Sequence, residues 1–153
     1  MSTSMGIRAE TRAWLQSRGA LCEACIYQHR IPYFVRLGYE EPVPVFGHHM
    51  HEVIRRGNIP KKLQEPLFMR GNSLWLCDKH HRQAHGTDLN EWVFPLLQIV
   101  RTPEDLQAFI NAYRATFKLD HPSLKVLEWR MTVYADLYKR GCAQEMEEET
   151  RPC

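Results

Sequence analysis

The 153-residue sequence predicts an α+β protein: a small core stapled by metal, then a mainly α-helical C-terminal region. Three observations carry this. Cys22-Glu23-Ala24-Cys25 and Cys77-Asp78-Lys79-His80 are two ligand pairs, each with a two-residue spacer. Between them, His48-His49 and Leu74-Trp75-Leu76 read as short extended segments. After Gly86, apolar residues recur at helical spacing.

A chain of 153 residues can bury roughly 68–70% of its unfolded surface in one domain. The 44% apolar and 25% charged content is that of an ordinary globular chain. A formal net charge of +2 and a pI near 8.3 permit a nucleic-acid partner without arguing for one. Met1 to Glu10 holds no apolar run, so no secretory leader is expected and a cytoplasmic location follows. The longest apolar stretch, Trp92 to Val100, is interrupted by Pro95 and Gln98 and is too short to span a bilayer, so no membrane partner is expected. Five cysteines, two of them as Cys-x-x-Cys, favour metal binding over a disulfide framework.

Taken in order, Ser4 to Ser17 reads as a helix with Ser4 as cap and Ile7, Trp14 and Leu15 on a rough apolar face. Gly19 ends it and delivers the chain to Cys22. Ile26 to Leu37 reads as a strand or an irregular excursion, and Val43 to Phe46 as extended, because Pro42 and Pro44 disfavour helix. The chain therefore enters His48-His49 as a strand. Val53 to Gly71 reads as an extended loop punctuated by Gly57, Pro60 and Pro66. It carries Arg55, Arg56, Lys61, Lys62 and Arg70 against Glu65 alone. A solvated face is the plain reading of such a set; beside a phosphate-cleaving site, these residues and Arg82 become candidate backbone contacts.

Leu74 to Leu76 reads as a strand, and Asp78 to Gly86 as a helix stopped by the glycine. Leu89 to Val100 is expected to be one helical segment with a kink or boundary at Pro95. Thr102-Pro103-Glu104-Asp105 is a helix start, with a threonine cap, proline at the first position and acids in the first turn. A last helix is expected from His121-Pro122 to Gly141. Leu124, Leu127, Met131, Tyr134 and Tyr138 step along it by three and four, suiting either packing on the same domain or a homodimer seam. The acidic tail from Ala143 is expected to be disordered.

Cys22, Cys25, Cys77 and His80 together offer three thiolates and an imidazole, a closed tetrahedral set suited to structural zinc. Binding energy at such a site is folding energy. His81 and His85, four apart on the same helix, share a face and can grip one ion; His48 or His49 could supply a third imidazole. Three neutral imidazoles with open positions suit a catalytic ion.

The order Cys-x-x-Cys, His-His, Asn-x-Leu-x-Leu-Cys-x-x-His-His, His resembles the HNH endonucleases over about residues 8–86. Its most specific part is Asn72, five residues before Cys77. The resemblance implies a ββα-metal core, placed in residues 1–86; the helices after Thr87 match nothing in it, and the helical spacing alone leads to an expected extension over 87–142 packed on the core, with the tail at 143–153. It implies a DNA endonuclease or nickase in which His49 is the general base and Asn72 braces the hairpin or orients His49. His48 and His81 would hold a catalytic divalent ion such as Mg²⁺, Mn²⁺ or Ni²⁺, with His85 as an extra ligand. Two positions depart from the pattern: His80 stands where many zinc-bearing members have cysteine, and Phe46 where colicin-type members carry glutamate. Small free-standing members are frequent in phages, which would place the chain in host cytoplasm with a packaging or recombination partner. The competing class is a zinc-stabilised nucleic-acid-binding or assembly protein without catalysis.

Overall fold

The computed structural model describes residues 4–38, 45–57, 59–117 and 121–133. Within these the chain is mixed, mostly helical with one two-stranded antiparallel sheet. The end of the expected last helix, the expected acidic tail and Pro42 to Pro44 lie outside the described residues. The chain divides into two compact units, Met1–Lys118 and Leu119–Cys153. In the second, residues 122–133 are helical, with Leu124 and Leu127 buried. Among the described residues, no helix is long and apolar enough to cross a membrane.

In the first unit, α1 (Ser4–Ser17) buries Thr11 and Leu15. Gly19 and Ala20 then take positive φ and turn the chain sharply. Residues 20–22 run antiparallel to 45–47: Leu21 bridges Phe46, Cys22 N donates to Val45 O and Gly47 N to Ala20 O. A side chain at Gly47 would collide with the Trp75 indole, so this crossing requires glycine.

The stretch expected to be a strand or irregular is helical instead: α2 (Glu23–Tyr27), a 3₁₀ turn (Gln28–Arg30) and α3 (Pro32–Arg36). Pro32 explains the restart, because its fixed φ suits a first helical position. Residues 53–71 are likewise less open than expected, since three 3₁₀ turns fill them and Val53, Ile54, Leu67 and Phe68 are buried.

Strands β1 (His49–Glu52) and β2 (Ser73–Leu76) pair with His49 opposite Leu76 and His51 opposite Leu74. Strand alternation puts His49 and His51 on one face and Met50 with Trp75 on the other. After β2 comes α4 (Asp78–His85). Helix α5 (Val93–Val100) starts later than expected, with Pro95 in its first turn, where no hydrogen-bonded N–H is required. Its Val93, Phe94, Leu96, Leu97 and Val100 are buried. Helix α6 (Pro103–Phe117) is capped by Thr102, whose Oγ1 accepts from Asp105 N at 3.1 Å. It packs so closely on Gly71 that a Cβ there would meet the Asp105 carbonyl.

Among the described residues, no third strand lies on the outer edge of β2. Instead, Trp75 N donates to Glu23 Oε1 at 2.8 Å, and Arg101 Nη2 donates to Ser73 O at 2.9 Å. Arg101 also grips both Glu23 oxygens at 2.7 Å, with its side chain fully buried. This bidentate pair satisfies the strand edge and joins α2 to the start of α6. Removing one partner leaves the other charge buried, so Arg101→Met should cost about 3–5 kcal/mol in urea unfolding. Glu23→Gln/Arg101→Met should recover part of that loss. A loss below about 1 kcal/mol in the single variant would contradict the role given to the pair.

Candidate metal centres

The first cluster is assembled from two turns. The 20–22/45–47 crossing holds Cys22 at the entrance to α2, and one helical turn brings Cys25 to the same side. Cys77 leaves β2 and precedes α4, whose first turn supplies His80. All four are buried, and the His80 ring meets the edges of Phe34 and Trp92. His80 Nδ1 lies 3.5 Å from Cys22 Sγ, 3.5 Å from Cys25 Sγ and 3.3 Å from Cys77 Sγ; Cys25 and Cys77 are 4.0 Å apart. A tetrahedral ion with sulfur at ~2.3 Å and nitrogen at ~2.0–2.1 Å has edges of ~3.6–3.8 Å. The spacing fits, and this cluster can hold a metal such as zinc. The hydrogen bond between Cys22 and Cys25 pushes the Cys22 thiol up, and burial adds to this. The same bond and the nearby His80 lower Cys25.

The second cluster is His51, His81 and His85, one nitrogen of each lying within 4.8 Å of the others. His81 Nε2 and His85 Nε2 are 3.0 Å apart, a distance that adjacent ligands of one ion take. Their i, i+4 spacing on α4 produces this, while β1 brings His51 across, edge-on to both rings at 5.3 and 5.0 Å. His51 is buried, and burial pushes its pKa down to about 3, with His81, His85 and Arg55 acting in the same direction. Burial and neighbouring positive charge lower His81 and His85 also. The imidazoles are therefore held neutral, the form that ligates metal.

His49 stacks on His81 at 4.2 Å between ring centres and 13° between planes. Its Nε2 meets Asp78 Oδ1 at 2.5 Å, and this bond lowers the Asp78 carboxyl. His48 is exposed, sits just before β1 and lies outside the three-imidazole group, although it lines the same cavity. Asn72 is buried with its amide fully engaged: Oδ1 accepts from Ile54 N at 2.9 Å, and Nδ2 donates to Ile54 O and Leu67 O at 3.0 and 2.9 Å. It pins both ends of the 53–71 segment and does not touch His49.

The cavity over the imidazoles measures about 650 Å³. Of the candidate backbone contacts, Arg55 and Arg56 line it: Arg55 donates to His85 O at 3.2 Å, and Arg56 pairs with Glu52 at 3.5 Å. Lys61, Lys62 and Arg82 are exposed outside its lining, and Arg70 is stacked on Trp14 at 4.0 Å. Arg8 and Arg12 of α1 line the cavity too. The sequence pattern offers His51 only as an undefined helper beside His48-His49, together with Glu52, and does not single out Asp78. Strand alternation, which separates His51 and His49 from His48, was the available signal for His51. Asp78 carried none beyond its place at a helix start.

Two outcomes are expected. Purified protein should carry about one tightly held zinc per chain, and Cys22→Ser should lose zinc and fold together, since site binding contributes on the order of 10 kcal/mol. Recovery of zinc-free, folded protein would contradict this. Without added divalent ion, the His51 ring nitrogens should show no titration between pH 8 and 5 by NMR. An unfolded histidine takes up its proton near pH ~6.5 and folded His51 only near 3, so this residue's contribution to stability falls as pH drops through that window. A His51 midpoint near 6.5 would refute its burial.

No family model, curated protein or solved structure matches this chain.

Proposed function

We propose that the chain is a metal-dependent DNA endonuclease or nickase of the HNH type, with β1, β2 and α4 as its ββα-metal core and Cys22, Cys25, Cys77 and His80 holding a structural zinc. The single observation that carries this reading is the arrangement of His49. It lies stacked on His81 of the three-imidazole cluster, with Asp78 on its Nε2. A base must sit beside the ion it works with, be fixed in one tautomer, and keep one nitrogen for water.

His51, His81 and His85 would hold the catalytic ion, which supplies Lewis-acid charge to the scissile phosphate when bound. His51 thus takes the ligand place that the sequence pattern offered to His48. His49 Nε2–H donates a hydrogen bond to the Asp78 carboxylate, which stays ionised, leaving Nδ1 to accept a proton from the attacking water. Arg55, anchored to the end of α4, places positive charge beside the imidazoles and can stabilise the extra charge on phosphate. Asn72 acts at a distance by fixing the loop behind β1. A set of imidazoles suits Mn²⁺, Ni²⁺ or Zn²⁺ better than Mg²⁺, so nicking should be stronger with the former.

The test is conversion of supercoiled plasmid to open circles with Mn²⁺, Ni²⁺ or Mg²⁺. His49→Ala should lower the rate about 10²–10⁴-fold with zinc content and melting temperature unchanged. Asp78→Asn should give a smaller loss. Equal cutting by wild type and His49→Ala would remove His49 as base. Absence of cutting with every metal would favour a non-catalytic zinc-stabilised DNA-binding or assembly protein.

A further inference from the structure

Arg8 and Arg12 are one helical turn apart on α1, so they share a face. Both are exposed, and both line the cavity that holds the imidazoles. Among the described residues, neither pairs with a carboxylate; Glu52, the cavity's one acidic lining residue, is already paired with Arg56. Each guanidinium instead lies over an aromatic ring, Arg8 over Phe68 at 5.4 Å and Arg12 over Trp75 at 5.6 Å. Stacking holds the planar group in place while leaving its N–H donors free, the state in which arginine binds phosphate best.

The position of these arginines is informative. Trp75 lies opposite Met50, on the sheet face away from His49 and His51. The cavity thus passes over the outer edge of β1, with imidazoles on one side and the α1 arginines on the other. An anion that crosses the strand edge and carries charge repeated along its length can meet both sets.

Resting on the nuclease reading above, we propose that α1 is a second DNA-contacting element. Arg8 and Arg12 bind backbone phosphates flanking the one to be cut, across the β1 edge from the reacting site. They position the strand and take no part in the chemistry.

The test uses the full chain in the His49→Ala background, so that DNA stays intact, and a fluorescein-labelled DNA duplex read by anisotropy across a series of salt concentrations. Replacing two phosphate contacts should make the slope of log affinity against log salt shallower by about 1.8. Arg8→Gln/Arg12→Gln, which keeps most of the side-chain stems, should show this together with about ten-fold or more weaker binding near 0.1 M salt. Arg8→Lys/Arg12→Lys should restore most of the slope, because it restores charge; this second pair also separates lost contacts from a disturbed helix. An unchanged slope in the glutamine variant, with the parent binding DNA and wild type cutting it, would overturn this proposal and leave the nuclease reading standing. A parent that binds no DNA would overturn both.

Discussion

Helix α4 presents side chains to two separate clusters, and the arrangement depends on a helix advancing about 100° per residue. His80 points with Ala84 into the buried side, among the three cysteines. His81, the next residue, points with His85 toward β1 and the cavity. If α4 turned about its axis by one residue, both sets would be lost together. The cysteine cluster prevents this: it grips the first turn of α4 and ties it to the 20–25 turn. A structural ion there would therefore set the aim of the imidazoles although it never touches substrate.

The hairpin needs an equally firm backing, because two short strands are marginal alone. On one edge β2 pairs with β1; on the other, Glu23 and Arg101 stand in for a strand. Arg101 reaches this place from the turn between α5 and α6, and its guanidinium also lies 4.9 Å from the centre of the Trp14 ring. Helices that carry no candidate ligand thus take part in holding β2. Their buried residues, Phe94, Leu97, Phe109 and Ile110 among them, provide the apolar mass that a two-stranded hairpin and one short helix lack.

Local signals read well in the sequence. The two-residue spacers of Cys22/Cys25 and Cys77/His80, the glycine stop of α4 and the Thr102-Pro103 start of α6 each depend on a few neighbouring residues. What the sequence concealed depended on long-range packing. Residues 23–36 form helices because they bury Ala24, Cys25 and Phe34 against the rest of the unit, which no short window announces. The Glu23–Arg101 pair spans 78 positions and had no local trace. His51 was legible in principle, since a strand that offers His49 to a helix must offer His51 as well. The adjacent His48-His49 draws attention away from the i, i+2 spacing at which residues of a strand share a face. The role proposed for Arg8 and Arg12 depends on α1 lying against the hairpin, which only the fold supplies.

The most direct measurement is X-ray absorption on protein carrying zinc and then loaded with one equivalent of Ni²⁺. At the zinc edge, three sulfurs at about 2.3 Å and one nitrogen at about 2.0–2.1 Å are expected, from Cys22, Cys25, Cys77 and His80. At the nickel edge, imidazole nitrogen and oxygen with no sulfur are expected, and the imidazole signal should drop in His51→Ala. Sulfur at the nickel edge, or a nickel signal that His51→Ala leaves unchanged, would contradict the assignment of His80 and His81 to separate ions.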